Sequence, residues 1–288
     1  MTTTPLASVL MTAYNREKYI AEAVESVLAS TFTDFELIIV DDCSKDRTVE
    51  IARRYLADAR VQVHQNDKNL GDYPNRNHAA SLARGKYLKY LDSDDVIYPR
   101  GLATMVAAME IYPDAAMALE RPPSPTEHYP LLVTPHQAYT EHFLGPGLFA
   151  CGPTGTIIQA SAFRESGGFS GKRYVGDTEM WLKLAARWPA IKLPQGSIWW
   201  REHDQQEYVI GQNSRSYLEY DYQVSTVALE STQCPLVPAE RKKALASLKR
   251  RHARNLLRLG LREGKPLAAC HIMRATGFGF ADLARAFT

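Results

Sequence analysis

Cysteine is scarce in this sequence, and long apolar runs are absent from it. The four cysteines stand far apart, without a CxxC pair or a cysteine–histidine spacing typical of zinc ligands. We therefore expect reduced thiols rather than a disulfide framework or a structural zinc site. No apolar run approaches the roughly 20 residues that a membrane span needs, and residues 1–5 lack the charge of a secretory signal. We expect a cytoplasmic protein that contacts a membrane only from its surface.

Acidic residues are almost missing from the end of the chain. The whole sequence carries a net charge of only +2. Residues 241–288 contain twelve Lys or Arg and two acids, so this segment carries +10 and residues 1–240 carry −8. A basic segment on an acidic body predicts an anionic partner, here the inner face of the cell membrane. The alternatives are a merely solvated helical face, or a segment that packs against the rest of the chain or a second subunit. We expect no nucleic-acid partner, and a homo-oligomer stays open.

The first hundred residues alternate between strand and helix patterns. Short apolar runs predict strands at 8–13, 35–40, 61–64 and 87–91. Apolar residues at helical spacing predict helices at 17–30, 47–56 and 76–83, the first capped by Asn15, the second by Ser44 and the third ended by Gly85. This alternation is typical of an α/β fold with a mostly parallel sheet covered on both faces. Ligands bind such sheets at the carboxyl ends of the strands.

The rest of the chain is less regular. Residues 66–75 and the proline-rich residues 121–147 are predicted as loops. Further helices and strands are predicted at 102–111, 115–119, 154–159, 179–188 and 198–201. From residue 206 onward the pattern is helical and contains a stripe at helical spacing, made of Leu245, Leu248, His252, Leu256 and Leu259. Gly260 and Gly264 are expected to break this helix, and Pro266 to open another.

Three carboxylates follow the strand predicted at 87–91. Asp92, Asp94 and Asp95 lie within four residues, and their mutual repulsion is costly unless a cation or hydrogen bonds offset it. Oxygen ligands suit a hard divalent cation, Mg²⁺ or Mn²⁺, which could bridge a carboxylate to a diphosphate. The alternative is a helix N-terminus with acidic residues in its first turn. The motif predicts a metal–diphosphate site.

Two weaker signals stand at the ends of other strands. Asp42 ends the second strand, where a carboxylate can accept hydrogen bonds from a base or a ribose, and Tyr14 after the first strand could stack on a base. Paired acids at strand ends also occur in receiver domains and dinucleotide folds. A nucleotidyltransferase would need a glycine-rich phosphate loop after the first strand, but residues 12–16 (TAYNR) contain no glycine.

The spacing of AYN, VDD, RN, GKY and DSDD along residues 8–95 resembles the donor half of family 2 glycosyltransferases. The resemblance extends to about residue 203. It implies the GT-A fold and an inverting, metal-dependent transfer from a nucleotide sugar, with a UDP-sugar as the expected donor. Accordingly, we divide the chain into a catalytic domain (1–205) and a basic helical extension (206–288). The domain splits into a nucleotide-sugar half (1–100) and an acceptor half (101–205).

The resemblance also assigns roles to residues. Asp177, within Gly-Asp-Thr-Glu-Met-Trp, matches the family's general base, although Gly176 replaces the common glutamate; a helix-capping aspartate is the alternative. His203 is expected as a metal ligand or diphosphate contact, and a structural histidine is the alternative. The metal ligands are then Asp94, Asp95 and His203. The nucleotide-sugar contacts are Thr12, Ala13, Tyr14, Asn15, Asp42, Arg76, Asp92 and Ser93.

These expectations combine into one function. The chain is predicted to add a single sugar to a hydroxyl of a saccharide or lipid-linked saccharide, in bacterial surface polysaccharide or glycolipid assembly. Polymer synthesis is disfavoured because Arg187-Trp188 lacks the glutamine of the QxxRW motif found in processive members. The alternative is a non-catalytic module that binds nucleotide sugars or carbohydrate on the same fold, which the intact Asp92, Asp94 and Asp177 disfavour.

Overall fold

The computed structural model describes residues 4–203, residue 211 and residues 215–285. The ten described strands are β1 (Ala7–Ala13), β2 (Phe35–Asp41), β3 (Val61–Gln65), β4 (Tyr87–Tyr90), β5 (Val96–Ile97), β6 (Met117–Arg121), β7 (Leu131–Val133), β8 (Thr156–Gln159), β9 (Ala190–Pro194) and β10 (Ile198–Trp199). The described α-helices are α1 (Ile20–Leu28), α2 (Thr48–Arg53), α3 (Asp72–Leu82), α4 (Gly101–Ile111), α5 (Pro135–Leu144), α6 (Ala160–Glu165), α7 (Gly176–Arg187), α8 (Ser216–Glu230), α9 (Pro238–Leu257), α10 (Pro266–Ala275) and α11 (Phe280–Arg285).

Eight of the strands form one sheet in the order β3-β2-β1-β4-β8-β6-β9-β7. The first four strands pair in parallel, as predicted. Beyond β4 the sheet is mixed, because β8 runs antiparallel to both β4 and β6, β7 runs antiparallel to β9, and only β6 and β9 are parallel. A small separate ribbon joins β5 to β10. The prediction of an α/β fold around a large sheet is confirmed, with a second half less parallel than expected.

Both faces of the sheet are covered, which explains the unbroken apolar runs at residues 9–11 of β1 and 37–40 of β2. Along β2, Leu37 and Ile39 point into one core cluster, whose helical members come from α1, α2 and α4. Ile38 and Val40 point into a second cluster, which α3, α5, α6 and α7 cover. Since successive side chains of a strand face opposite sides, a strand buried on both sides is apolar at most positions, and its polar residues pair with each other, as Ser8 does by donating to Glu36 at 2.7 Å.

Two loop predictions were wrong in part. The predicted loop 66–75 ends early, because α3 already begins at Asp72. The same helix ends at Leu82, before it reaches Gly85. The predicted loop 121–147 contains both β7 and α5. Helix α5 starts with a capping box, in which Thr134 and Gln137 satisfy each other's backbone N–H groups, and Pro135 occupies the first helical position.

The predicted helix caps were also wrong. Helix α1 begins at Ile20, and Asn15 has a positive φ of 53° instead of capping it. Helix α2 begins at Thr48, whose backbone N–H is accepted by Asp46 Oδ1 at 3.0 Å, so Ser44 does not cap it. Neither helix is therefore capped by the residue that the sequence predicted.

The C-terminal extension packs against the rest of the chain. Leu248, His252, Leu256 and Leu259 of the predicted stripe are buried, and the three leucines belong to the same core cluster as Tyr139 and Phe143 of α5. Gly260 does not break the chain abruptly but lies within a π-helical turn, Arg258–Arg262, that continues α9. None of the helices among the described residues could cross a membrane. The domain boundary at residue 205 stays a prediction, because residues 204–210 lie outside the described residues.

Candidate functional site

The carboxyl ends of β1, β2 and β4 meet at one edge of the sheet. Ala13 at the end of β1 is in register with Asp41 at the end of β2, and Asp42 donates its N–H to the Ala13 carbonyl at 2.8 Å. On the other side of β1, Leu91 N–H donates to the carbonyl of Leu10 at 3.0 Å. This pairing brings residues 12–15, Asp42 and the acidic segment 92–95 to the same edge, as the parallel sheet predicted.

The three predicted carboxylates form a cluster. Asp92, Asp94 and Asp95 each offer one oxygen, and these oxygens lie within 4.8 Å of one another. Asp95 is buried; its Oδ1 accepts the N–H of Arg201 at 3.0 Å, whereas its Oδ2 is enclosed without a hydrogen-bond partner. Burial, followed by the charge of Asp92, raises the pKa of Asp95 to about 8. A buried, unpaired carboxylate oxygen within an oxygen-rich cluster fits a hard divalent cation.

Two cationic or polar side chains hold Asp94. Arg16 Nε and His203 Nε2 both contact Asp94 Oδ2, each at 2.9 Å. The His203 ring stacks on Tyr19, with centroids 5.0 Å apart. His203 therefore lies beside the carboxylate cluster, where it was predicted. Arg16, which was not predicted as a site residue, approaches the same oxygen from the turn after β1.

Arg201 attaches the segment after β10 to the cluster. Its Nε donates to the carbonyl of Asp94 at 2.8 Å, in addition to the backbone bond to Asp95. Its guanidinium lies over the rings of Tyr19 and Trp199, 5.0 Å and 4.5 Å from their centroids. Arg201 thus positions both the carboxylates and His203, two residues further on.

A buried lysine lies beneath the cluster. Lys89 is fully buried on β4, and its ammonium donates to the carbonyl of Thr154. Burial lowers its pKa to about 8, although Glu120 and other anionic neighbours act in the opposite direction. The hydroxyl of Thr154 in turn accepts the N–H of Asp92 at 3.1 Å. Lys89 therefore supplies positive charge close to the three carboxylates from inside the sheet.

Arg76 connects the cluster to α3. Its Nε donates to Asp72 at 2.8 Å and its Nη2 to Asp92 at 2.7 Å, while its Nη1 is buried with no hydrogen-bond partner. The guanidinium also lies 5.7 Å from the centroid of the Tyr90 ring. Arg76 was predicted as a donor contact, and the structure brings it to Asp92. Asp72 was not predicted, because it fell in a segment assigned to a loop.

Asp177 lies in the first turn of α7, not at its cap. Helix α7 begins at Gly176 with Val175 at the cap position, and Asp177 Oδ1 accepts the N–H of Thr178 in the first turn at 2.6 Å. The N–H of Asp177 donates to the hydroxyl of buried Tyr73 at 3.1 Å. Burial raises the pKa of Asp177 to about 6; the charge of Asp72 adds to this rise, and the charge of Arg76 opposes it. Asp177 is therefore close to the pair that Arg76 forms with Asp72.

Packing explains why a glycine precedes Asp177. A Cβ on Gly176 would lie 2.7 Å from the ring of Tyr73. The space that a glutamate side chain would need at this position is therefore occupied by the tyrosine that binds the Asp177 N–H. The departure from the expected Glu-Asp pair follows from this packing.

The predicted base-binding residues line the edge beside β1. Asp42 is buried and accepts the side-chain amide of Asn66 and the N–H of Leu70 on Oδ1, each at 2.8 Å, and the N–H of Gly71 on Oδ2 at 2.9 Å. Both oxygens of the predicted base contact thus already hold the segment before α3. Asn15 accepts the N–H of Lys45 at 2.8 Å and donates its own N–H to Ser44 at 2.8 Å.

The remaining predicted donor contacts differ in exposure. Thr12 and Ala13 are the last residues of β1, and Tyr14 is 43% exposed. Its ring is accessible to a planar ligand. Ser93, by contrast, is buried within the acidic segment. The structure thus brings all residues predicted as donor or metal contacts to one edge of the sheet. Asp177 is connected to this group by the charge of Arg76, which acts on the pKa of Asp177.

Known proteins with similar sequences support the interpretation of this site. A model of the family described as glycosyl transferase family 2 matches residues 8–167. The putative glycosyltransferase EpsE of Bacillus subtilis is 32% identical over 203 residues, which cover 64% of this chain and 68% of EpsE. The putative teichuronic acid biosynthesis glycosyltransferase TuaG of the same organism is 44% identical over 92 residues, 32% of this chain and 36% of TuaG. The chain thus spans about a third of TuaG.

Solved structures share the fold at low sequence identity. Residues 1–349 of Staphylococcus aureus TarS in complex with UDP-GlcNAc give a TM-score of 0.68 at 22% identity, covering 94% of this chain and 81% of that chain. The mannosyltransferase PcManGT of Pyrobaculum calidifontis, in complex with GDP-Man and Mn²⁺, gives 0.64 at 18% identity, covering 99% and 87%. These likenesses confirm the expected fold, and the family match covers more than half of the chain. The chain therefore belongs to glycosyl transferase family 2 and is a glycosyltransferase of the GT-A fold.

Proposed function

We propose that this glycosyltransferase inverts configuration as it moves one sugar from a UDP-sugar to a hydroxyl of a saccharide or lipid-linked saccharide. The observation that carries the proposal is the position of Arg76. This single buried side chain pairs with Asp92 of the carboxylate cluster and with Asp72, and its charge acts on the pKa of Asp177. A group suited to take a proton is therefore coupled electrostatically, through Arg76, to a group suited to hold a donor.

The donor assignment is supported by the site and by relatives. Tyr14 offers an exposed ring to a base at the edge where Asp42 and Asn15 order the backbone. TarS is named as a poly(ribitol-phosphate) β-N-acetylglucosaminyltransferase and was solved with UDP-GlcNAc, which favours a UDP-sugar. PcManGT was solved with GDP-Man, so a GDP-sugar is the competing donor. We assign Thr12, Ala13, Tyr14, Asn15, Asp42, Arg76, Asp92 and Ser93 to donor binding.

A divalent cation, Mn²⁺ or Mg²⁺, is part of the proposal. Asp94 and Asp95 would hold it together with His203, and the buried Oδ2 of Asp95, which has no hydrogen-bond partner, is the strongest sign that the cluster fits a cation. When bound, such an ion neutralises the diphosphate as it departs. The chain's own residues contribute in the same direction, because Arg16 lies at Asp94 Oδ2 and adds positive charge beside it.

The proposed chemistry is one displacement. The acceptor oxygen attacks the anomeric carbon from the face opposite the nucleotide diphosphate, the bond to the diphosphate breaks, and the hydroxyl proton passes to the Asp177 carboxylate. A base whose pKa is about 6 is ionised at neutral pH and accepts a proton readily. One displacement at the anomeric carbon inverts its configuration. Tyr73, bonded to the Asp177 N–H, would keep the base in place.

The proposed setting is surface polysaccharide or glycolipid assembly in bacteria. TuaG is named for teichuronic acid biosynthesis and TarS for a ribitol-phosphate polymer, which supports a saccharide acceptor. We also propose that residues 241–288, with a net charge of +10, bring the enzyme to the inner face of a membrane that carries a lipid-linked acceptor.

A panel of UDP- and GDP-sugars, screened by thermal shift with and without Mn²⁺, tests the donor. A true donor should raise the melting temperature by mass action, more so with Mn²⁺. The preferred donor then enters a transfer or donor-hydrolysis assay. Asp177→Asn should reduce turnover by roughly 10²–10⁴-fold while donor affinity is kept. Asp114→Asn, an exposed acid in the turn after α4, is the matched control.

Two results would contradict the proposal. Binding of a nucleotide sugar without any turnover by the wild-type chain would favour a non-catalytic binding module. A loss of donor affinity in Asp177→Asn as large as its loss of turnover would assign Asp177 to donor binding instead of proton transfer.

A further inference from the structure

The most exposed large apolar side chains of the described residues are gathered in the C-terminal extension. Leu267 is 87% exposed, Leu261 80% and Phe280 76%. The next largest values are 63% for Val227 on α8 and 59% for Ile111 in the catalytic domain. Water-exposed leucines at this level are unfavourable in a chain that stays in solution, so their grouping indicates a surface with a partner.

Two of these leucines flank a basic turn. We define the basic tip as residues 258–267, which run from the π-helical turn into the start of α10. Between Leu261 and Leu267 stand Arg262 and Lys265, both exposed. The only acid of the tip, Glu263, is paired with Arg215 at 2.8 Å and with Arg258 at 3.6 Å. The tip therefore presents leucines and unopposed positive charge together.

The fold turns the two leucines outward and holds them there. Leu259 and Ala269 are buried, and a Cβ on Gly260 would lie 3.5 Å from Ala269, so the π-helical turn packs closely on α10. The turn is closed by the backbone bonds from Lys265 N–H to Leu259 at 3.0 Å and from Glu263 N–H to Arg258 at 2.9 Å. Leu261 and Leu267 belong to the same tightly packed unit but lie on its solvent side.

We propose that the basic tip docks this enzyme on an anionic phospholipid bilayer, with Leu261 and Leu267 in the interface and Arg262 and Lys265 among the headgroups. The inference deepens the membrane contact of the proposed function and rests on it. The buried leucine stripe of α9 takes no part, because it packs against the catalytic domain. A second copy of the chain is the poorer partner, since it would bring two basic surfaces together. An anionic bilayer complements both the leucines and the charge.

Vesicle co-sedimentation of the full chain tests the docking. Phosphatidylcholine vesicles are compared with vesicles that also contain phosphatidylglycerol, at low and high salt. The wild type should pellet only with the anionic vesicles, and less at high salt. The double substitution Leu261→Ser/Leu267→Ser should weaken binding by about tenfold for each leucine. Arg262→Glu/Lys265→Glu should weaken it by roughly fivefold or more for each charge.

Matched controls separate the tip from general effects. Leu56→Ser/Ile111→Ser removes two exposed apolar side chains elsewhere, and Arg53→Glu/Arg100→Glu makes the same change of charge on exposed sites outside the extension. Both controls should pellet like the wild type. Equal pelleting with neutral and anionic vesicles, or wild-type binding by the serine variant, would overturn the proposal.

Two further measurements distinguish the remaining outcomes. Light scattering after gel filtration shows whether the leucines instead join two copies: a wild-type dimer that Leu261→Ser/Leu267→Ser converts to a monomer would overturn membrane docking. Vesicle binding needs no sugar donor. A chain that binds anionic vesicles through the tip but transfers no sugar would therefore refute the proposed reaction and leave the docking site standing.

Discussion

At the scale of single residues, the surroundings of Asp177 favour the protonated form of its carboxyl group. Burial is the main reason that its pKa rises from an ordinary 3.8 to about 6, and the carboxylate of Asp72 contributes. The positive charge of Arg76 limits the rise. The value lies between that of a free carboxylate and neutral pH, which is the range in which a carboxylate is both ionised and basic enough to accept a proton.

The pKa of Asp177 predicts how transfer depends on pH. The reaction needs the carboxylate, and a pKa raised to about 6 means that the carboxylate is lost as pH falls through 6. With saturating donor and metal, turnover should therefore rise about tenfold between pH 5 and pH 7 and then level off. The measurement is an initial-rate profile with donor affinity determined at each pH. A flat profile across this range would contradict a general base with this pKa.

Gly176 should also matter for transfer, because it leaves room for the tyrosine that binds the neighbouring base. Gly176→Ala places a Cβ 2.7 Å from the Tyr73 ring, so the ring must move and its hydrogen bond to the Asp177 N–H is disturbed. Transfer should fall by about ten- to hundredfold, with little change in donor affinity, because a small displacement of a catalytic group is costly. Gly152→Ala is the control, since it has a negative φ and nothing within 4 Å of the new Cβ. Unchanged rates in Gly176→Ala would show that Tyr73 does not position the base.

At the scale of elements, the sequence identifies the strands of the first half well. Strands β1 and β2 contain unbroken apolar runs at residues 9–11 and 37–40 because both of their faces are buried, and such runs stand out without any knowledge of the fold. The start of α3 was missed because Asp72, Tyr73 and Pro74 follow a loop-like composition. Proline in the first turn of a helix is nevertheless compatible with helix, since its missing N–H has no partner there.

Helix α5 was missed for a similar reason. The six prolines between residues 121 and 147 dominated the interpretation, and one of them, Pro135, opens the helix. Thr134 and Gln137 form a capping box that was visible in the sequence as a local signal. The helix packs through Tyr139 and Phe143, whose burial depends on elements far away in the chain, and periodicity alone does not reveal that.

Helix α9 should contribute to the stability of the whole fold. Leu248 is 4% exposed and belongs to the core cluster that α5 and α7 share, so Leu248→Ala should lower the free energy of unfolding by about 2–4 kcal/mol. Leu267→Ala, at an exposed position, should change it by less than about 0.5 kcal/mol. Urea denaturation measures both. A small effect at Leu248 would mean that the extension folds apart from the rest.

At the scale of the whole molecule, the core runs through the proposed domain boundary. The core cluster that contains Trp181 also contains Tyr222, Leu256 and Ile272. A chain truncated after Glu240 should therefore expose apolar surface, melt at a lower temperature than the full chain and aggregate. Thermal unfolding followed by light scattering tests this. An unchanged melting temperature would support a boundary that separates two independent units.

The candidate site was predictable only where its residues share a short segment. Asp92, Asp94 and Asp95 are close in sequence, and their charge makes them conspicuous. Arg16 reaches the carboxylate of Asp94 from 78 residues away, and the N–H of Arg201 reaches that of Asp95 from 106 residues away, so no local pattern distinguishes them from surface arginines. Their contribution depends on the path of the whole chain, which brings both to one edge of the sheet.

The antiparallel pairing of β4 with β8 has a mechanical consequence. This ladder joins the parallel strands to the mixed ones, so the eight strands of the described residues form one sheet with no break between its halves. Because β8 runs antiparallel to β4, the residues that follow β4 lie next to those that precede β8, and the Asp92 N–H donates to the Thr154 hydroxyl at 3.1 Å. We therefore expect the substrates of the proposed reaction to enter and leave through movements of loops rather than through a hinge between the two halves of the sheet.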